Sequence, residues 1–214
     1  MNKVEEIVME LALKQTPSAE VLYDEGESRS VSFENNKLKY VSTKSIRGVG
    51  LRVIKDGRIG FSSTTDFRKP EKLVANAIES AKFGQIAAFE FPSKNHFPKI
   101  VVFDQQVIDY PIHQCVDIGK EAIAKALSVD SGYECGASLG KGHGIRRLIN
   151  SKGLDISIAT TSFGFGIEIL EVKGQSLLWI GEGEGSKSLV ADLNKHIDKA
   201  LRSLKLAQKE LNLK

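Results

Sequence analysis

The chain has 214 residues, of which 41% are hydrophobic and 27% charged. That excludes disorder, because the apolar fraction suffices for a core. It suggests one large domain or two small ones of ~100–200 residues. A formal charge of +3 and a pI of 8.7 give no compositional case for nucleic acid. No apolar run approaches the ~18–20 residues that span a bilayer. Met1 to Gln15 lacks the unbroken hydrophobic centre of a signal peptide, and Cys115 and Cys135 are too few for a disulfide framework. These features lead us to expect a cytoplasmic protein.

Val4, Ile7, Val8, Leu11 and Ala12 predict a helix over residues 2–14, with Glu5, Glu6, Glu10 and Lys14 on its polar face and Pro17 beyond its end. Strand-like runs follow at 19–25, 30–34, 37–44, 47–54 and 58–65, or about four or five antiparallel strands. Asp56-Gly57 between two of these runs predicts a type I′ hairpin. Pro70 opens a helix whose apolar face is Leu73, Val74, Ala77, Ile78 and Ala81, and Gly84 is expected at its left-handed C′ position. Residues 85–112, broken by Pro92, Pro98 and Pro111, read as a linker with one strand at 99–103.

A second round begins at a helix over 113–127, with Val116, Ile118, Ile123, Ala124 and Leu127 as its buried set. Strands are expected at 132–138, 144–150, 155–170 and 175–180. A long helix is expected over 188–211, with Leu189, Leu193, Ile197, Leu201, Leu204 and Leu206 as its stripe. Leu38 and Leu154, Gly48-Val49-Gly50-Leu51 and Gly164-Phe165-Gly166-Ile167, and Leu73-Val74-Ala75 and Leu189-Val190-Ala191 all lie 116 positions apart. The expected fold class is α+β: two similar helix–antiparallel sheet–helix units in tandem, at 1–84 and 113–214.

Candidate chemistry is sparse. Gly48-x-Gly50 and Gly164-x-Gly166 lie inside strand patterns with no helix directly after, so a close backbone approach is favoured over a phosphate loop. Gly181–Ser186 is glycine-rich before a helix, but Glu182 and Glu184 repel an anion, and a flexible connection capped by Ser186 or Ser188 is favoured. His96, His113, His143 and His196 are scattered, and His113-x-Cys115 with Cys135 lacks zinc spacing. Cys115 is expected to be a half-buried structural residue rather than a thiolate. Ser62-Ser63-Thr64-Thr65-Asp66 lacks a nucleophile elbow and reads as turn and cap chemistry. Lys195, Lys199, Arg202, Lys205 and Lys209 are interrupted by Asp192, Asp198 and Glu210 and read as a solvated face. No residue set supports catalysis by itself.

Glu34-Asn35-Asn36-Lys37-Leu38, Gly48-Val49-Gly50-Leu51-Arg52-Val53 and Asp56-Gly57-Arg58-Ile59-Gly60-Phe61-Ser62-Ser63-Thr64 resemble the N-terminal region of the TldD/PmbA family. Asn150-Ser151-Lys152-Gly153-Leu154 resembles its middle-region turn. Members were first named modulators of DNA gyrase and are regarded as metallopeptidases. The resemblance implies that the zinc-binding H-E-x-x-x-H helix and a distal cysteine belong to a C-terminal domain beyond the resembling segment. The sequence stops at Lys214, so no catalytic, cofactor or metal residue carries over, and zinc is expected only in such a domain or in a partner subunit. Phe61 to Asp66 and the Pro70 helix stand slightly closer to the PmbA (TldE-type) branch. The implied function is a non-catalytic portion that supplies scaffold, peptide-channel or subunit-contact surface. A peptide substrate and a TldD/TldE-type partner or self-association are implied, and a membrane is not. The alternatives are a stand-alone binding module using a cleft between the repeats and, less favoured, a DNA- or gyrase-associated regulator.

Overall fold

The computed structural model describes residues 3–94, 97–190, 192 and 194–209. In chain order the elements are α1 (Val4–Leu13), β1 (Ser18–Glu34), β2 (Lys37–Lys55), β3 (Arg58–Thr64), α2 (Pro70–Ala81), α3 (Gln105–Asp109), α4 (Ile112–Val129), β4 (Glu134–Asn150), β5 (Asp155–Lys173), β6 (Ser176–Ser186) and α5 (Asn194–Ala207). The protein is α+β, with a six-stranded antiparallel sheet in the order β3-β2-β1-β4-β5-β6. No helix among the described residues is long and apolar enough to cross a membrane.

The strands are fewer and longer than the sequence predicts. The runs at 19–25 and 30–34 are one strand, as are those at 37–44 and 47–54, and those at 132–138 and 144–150. Nothing between the runs turns the chain: Gly26, Gly140, Gly142 and Gly144 do not take up positive φ. Among the described residues, positive φ is confined to the real turns. Asn35 (47°) and Asn36 (66°) join β1 to β2, and Asp56 (50°) and Gly57 (75°) join β2 to β3, both with the signature of type I′. Gly174 (60°) alone turns β5 into β6.

The chain forms two compact units, each drawn from three segments. The first comprises the chain up to Gly26, Ser45–Val101 and Gly144–Ala159; the second comprises Glu27–Lys44, Val102–His143 and the chain from Thr160 on. The segments interleave rather than dividing near residues 84 and 113, because β1, β2, β4 and β5 are long enough to give one end to each unit.

In the first unit, Val8, Met9 and Ala12 of α1 and Leu73, Val74, Ala77 and Ala81 of α2 cover Ala19, Val21, Val49, Leu51 and Val53. In the second, Cys115, Ala122, Ile123 and Ala126 of α4 and Ile197, Ala200 and Leu204 of α5 cover Val31, Phe33, Cys135, Ala137, Phe163, Phe165, Ile167 and Ile169. The buried residues of β5 alternate strictly, as a strand with one covered face requires.

A repeat is present, but no single offset describes it. Glu5, Val8, Met9 and Ala12 match Gly119, Ala122, Ile123 and Ala126 at 114 positions. The paired Lys55 and Arg58 match Lys173 and Ser176 at 118. Leu73, Val74, Ala77 and Ala81 match His196, Ile197, Ala200 and Leu204 at 123. The offset grows because the second hairpin arm is longer and α5 starts later. Leu189 and Val190 precede α5 rather than lying in it; Ala191 and Leu193 fall outside the described residues.

Several helical faces differ from expectation. Ala124 is exposed, while Cys115, Gly119 and Ala122 make the contact line of α4. A Cβ on Gly119 would stand 2.3 Å from the Phe33 ring, so the helix approaches on its small residues and its larger ones flank the contact. Leu206 is exposed and His196 is buried in its stead on the α5 stripe. The expected strand at 99–103 is absent: Ile100 and Val101 are exposed, and the segment makes one backbone bond to the sheet, Thr161 N–H to Val102 O (2.9 Å). Gly84 does not have positive φ. A Cβ there would lie 1.8 Å from Ile59 O, so the position needs glycine for space.

The β4–β5 turn rests on Asn150, which is 6% exposed. Its Oδ1 accepts from the N–H groups of Lys152 (2.9 Å) and Leu154 (3.1 Å), and its Nδ2 donates to Pro92 O (2.9 Å). Asn150→Ala removes all three bonds and leaves buried backbone groups unpaired. The expected cost is about 2 kcal/mol, read by urea unfolding; an unchanged midpoint would show that the turn is held by Gly153 alone.

Candidate functional site

Helices cover one face of each unit's strands, which leaves the other face for contact. In the first unit that open face carries a groove of about 890 Å³, lined by Glu20, Leu22, Gly48, Gly50, Phe61 and Ser63, with Asp24, Arg52, Thr64, Thr65 and Leu148 around it. Gly48 and Gly50 form a floor without side chains. A Cβ on Gly50 would sit 3.5 Å from the Phe61 ring, an ordinary contact, so a residue there would fill the groove without straining the fold. Phe61 and Leu22 expose 59% and 38% of their surface.

One end of the groove is closed by an ion pair and an aromatic strap. Arg52 donates to the carboxylate of Glu20, which is buried, and its guanidinium stands 5.4 and 5.3 Å from the ring centres of Phe89 and Phe91. Stacking of this kind is worth more as the cation is desolvated. Residues 85–87 also run along β3: Ile59 N–H donates to Gln85 O (2.9 Å) and Ala87 N–H to Gly57 O (2.8 Å). Ser80 Oγ accepts from Phe61 N–H (2.8 Å). The outer edge of β3 is thereby occupied at Ile59 and Phe61, so a ligand of this unit meets the open face. The sequence reading missed Phe89 and Phe91; their alternation before Pro92 was the available signal.

The other candidates sort by burial. Ser62, Ser63 and Thr64 belong to β3. Thr64 Oγ1 accepts from Asp66 N–H (3.0 Å), and Asp66 binds the backbone and guanidinium of Arg68, which holds its carboxyl well below the usual range. This is turn chemistry, as expected. Gly164 and Gly166 lie on the open side of β5. Gly181–Ser186, expected to be a flexible connection, is regular strand: Gly185 pairs with Gly164, Gly183 with Gly166 and Gly181 with Glu168. The ladder to β5 holds these glycines extended. Glu182 and Glu184 turn to α5, where Lys199 and Lys195 meet them at 2.9 and 2.8 Å. His196 Nε2 lies 2.9 Å from Glu184 Oε2, and Lys195, then His196, lower that carboxyl's pKa. Among the described residues, neither Ser186 nor Ser188 caps α5; Asp192 Oδ1 accepts from Asn194 N–H (3.0 Å).

His113 and His143 are exposed, and His96 falls outside the described residues. No group of three metal-ligating side chains occurs among the described residues. Cys115 is fully buried rather than half-buried, as is Cys135, and burial pushes both thiols up, Cys135 to about 11. A thiol reagent at pH 8 should leave both untouched in the folded chain and label both in urea. Rapid native labelling of Cys115 would contradict this placement.

Known proteins place these features. Residues 19–81 match the family model for PmbA/TldA metallopeptidase domain 1. An uncharacterised protein of Methanocaldococcus jannaschii is 28% identical over 171 residues, which is 77% of this chain and 39% of that protein. TldE from Thermococcus kodakarensis superposes with a TM-score of 0.78 at 19% identity, over 95% of this chain and 47% of its own. A Bacteroides thetaiotaomicron protein named as a candidate modulator of DNA gyrase superposes at 0.84 and 21% identity, over 97% and 50%. The chain therefore spans half or less of the length of each relative. Every groove residue except Leu148 lies inside the matched segment. Residues 19–81 thus match a PmbA/TldA-type first domain, set in a chain that shares the fold of about half of TldE.

Proposed function

We propose that this chain is the non-catalytic portion of a TldD/PmbA-type metallopeptidase assembly, with a scaffold, a peptide-contact groove and a subunit-contact surface. It works in the cytoplasm, and the zinc belongs to a C-terminal domain or a partner subunit. The observation that carries the reading is the groove on the Gly48–Gly50 floor within the matched first domain. An apolar wall with hydroxyls and one ion pair at its end suits a bulky apolar side chain of an extended peptide, with little demand on the rest of its sequence.

The test is anisotropy of a labelled unstructured peptide that carries one phenylalanine, with metal analysis of the same protein. Gly50→Leu should weaken binding at least tenfold by filling the groove, and leave the melting temperature within a few degrees. The chain alone should bind no stoichiometric zinc and hydrolyse no peptide. Zinc-dependent hydrolysis by these 214 residues would overturn the reading, as would binding indifferent to Gly50→Leu and Phe61→Ala. The regulator alternative requires salt-sensitive DNA affinity of the chain itself.

A further inference from the structure

The two edges of the second unit's strands are treated differently. On β2, Lys37–Lys44 has β1 on one side, and β3 reaches β2 only from Val49. That free stretch carries Lys37, Lys39 and Lys44, the usual guard against strand addition. β6 lies at the opposite end of the strand order and, among the described residues, pairs only with β5. It has no lysine, arginine or proline over its 11 residues. The Lys173↔Ser176 pair that closes the hairpin sets the phase: Leu177, Trp179, Gly181, Gly183 and Gly185 direct their N–H and C=O groups away from β5. Among the described residues, no hydrogen bond reaches those groups. Leu177 and Trp179 expose 69% and 59% of their surface.

We infer that β6 is a dimerisation edge, pairing antiparallel with β6 of a second copy of this chain about a two-fold axis at Gly181. A row of unpaired amides and carbonyls on an edge strand takes another strand, and the sequence of β6 is complementary to its own reverse. With the axis at Gly181, all five outward residues are engaged. Trp179 of one copy lies opposite Gly183 of the other, and Leu177 opposite Gly185, so each large side chain meets a position without one. In the same register Glu182 faces Ile180 and Glu184 faces Leu178, so no like charges oppose. Lys199 and Lys195 already neutralise both carboxylates within each copy. The interface is isologous and closes at two copies, consuming the edge that would otherwise aggregate. This deepens the subunit-contact part of the proposed function. It uses β6 and not the first unit's groove, so the two readings fail independently.

Sedimentation equilibrium of the full 214-residue chain at about 100 µM should give about 47 kDa, twice the 23.5 kDa chain mass. Gly181→Cys places two thiols across the axis at ~5.5 Å between Cα atoms, within disulfide reach, and should oxidise to a covalent dimer. Gly185→Cys, which faces Leu177, should not. The buried native thiols do not compete. A Cβ at Gly185 meets nothing within 4 Å, so substitution there spares the fold. Leu177→Lys with Gly185→Lys should weaken dimerisation at least tenfold, and Leu177→Glu with Gly185→Lys should restore it. A single-chain mass for the wild type overturns the inference. So does equal cross-linking of the two cysteine variants, or capture of an unrelated extended peptide at Trp179 by a chain that stays single.

Discussion

Arg147→Leu should destabilise the first unit by about 3–5 kcal/mol, the cost of leaving a buried carboxylate without its cation. The expected group is Glu5. Its place in the first turn of α1 suggests a solvent-facing acid, yet it is 3% exposed and accepts from Arg147 at 2.8 Å. The same guanidinium also binds Glu6 (2.9 Å) and both oxygens of Asp155 (3.0 and 2.9 Å). One β4 side chain thus ties α1 to the start of β5. Urea unfolding measures the loss, and Glu5→Leu added to Arg147→Leu should recover most of it, since an apolar pair of similar volume removes the uncompensated charge. A loss below about 1 kcal/mol would show that Glu5 reaches water in solution.

The clamp also has a pH signature. Hydrogen bonds from Arg147 come first among the causes that lower the carboxyls of Glu6 and Asp155, from ordinary values of 4.5 and 3.8. A carboxyl whose folded pKa is depressed binds fewer protons folded than unfolded. It therefore contributes stability above its unfolded pKa and loses it as pH falls through the folded value. The contribution is whole above about pH 4.5 and fades below it. The wild type should lose stability more steeply than Arg147→Leu between pH 4.5 and 3. Parallel acid limbs would remove the clamp as the cause.

The elements written in local chemistry were legible in the sequence. Asp56-Gly57 demands its turn, Pro70 its helix start, and the apolar run from residue 155 to 170 its strand. Longer-range features were not. Nothing near Glu5 announces Arg147, which lies 142 residues away. Apolar weight drew the α4 face to Val116, Ile118 and Leu127, although a helix seated directly on Phe33 needs Gly119 and Ala122 where it touches. Glycine signals flexibility in a lone sequence, so Gly181–Ser186 read as a loop; only the ladder to β5 makes it a strand. The groove was half legible. Gly48 and Gly50 stood out, but their meaning depends on Phe61 across the hairpin and on the Phe89–Phe91 strap.

Gly60→Ala should cost about 3 kcal/mol, near the upper end for overpacking, although it adds a single methyl group to a strand. In β3, Gly60 pairs with Val53 and faces α2. A Cβ there would lie 2.1 Å from Ala77 O, 2.8 Å from Ala81 Cβ and 2.9 Å from Ala81 N. Two of these atoms are helix backbone and cannot rotate aside, so α2 must lift. Leu73, Val74 and Ala77, which seal the first unit's core, would lift with it. Gly48→Ala is the matched control. Its nearest neighbour would be Thr64 O at 3.6 Å, so the change should be neutral or slightly stabilising, by the unfolded-chain entropy it removes. The contrast isolates close approach from the generic effect of replacing glycine in a strand. Equal effects of the two substitutions on the unfolding midpoint would mean that α2 sits less tightly on β3 than these distances require. Because Gly60 lies one residue from Phe61, the lifted helix should also disturb the proposed peptide groove, through the bond that Phe61 N–H donates to Ser80 Oγ on α2.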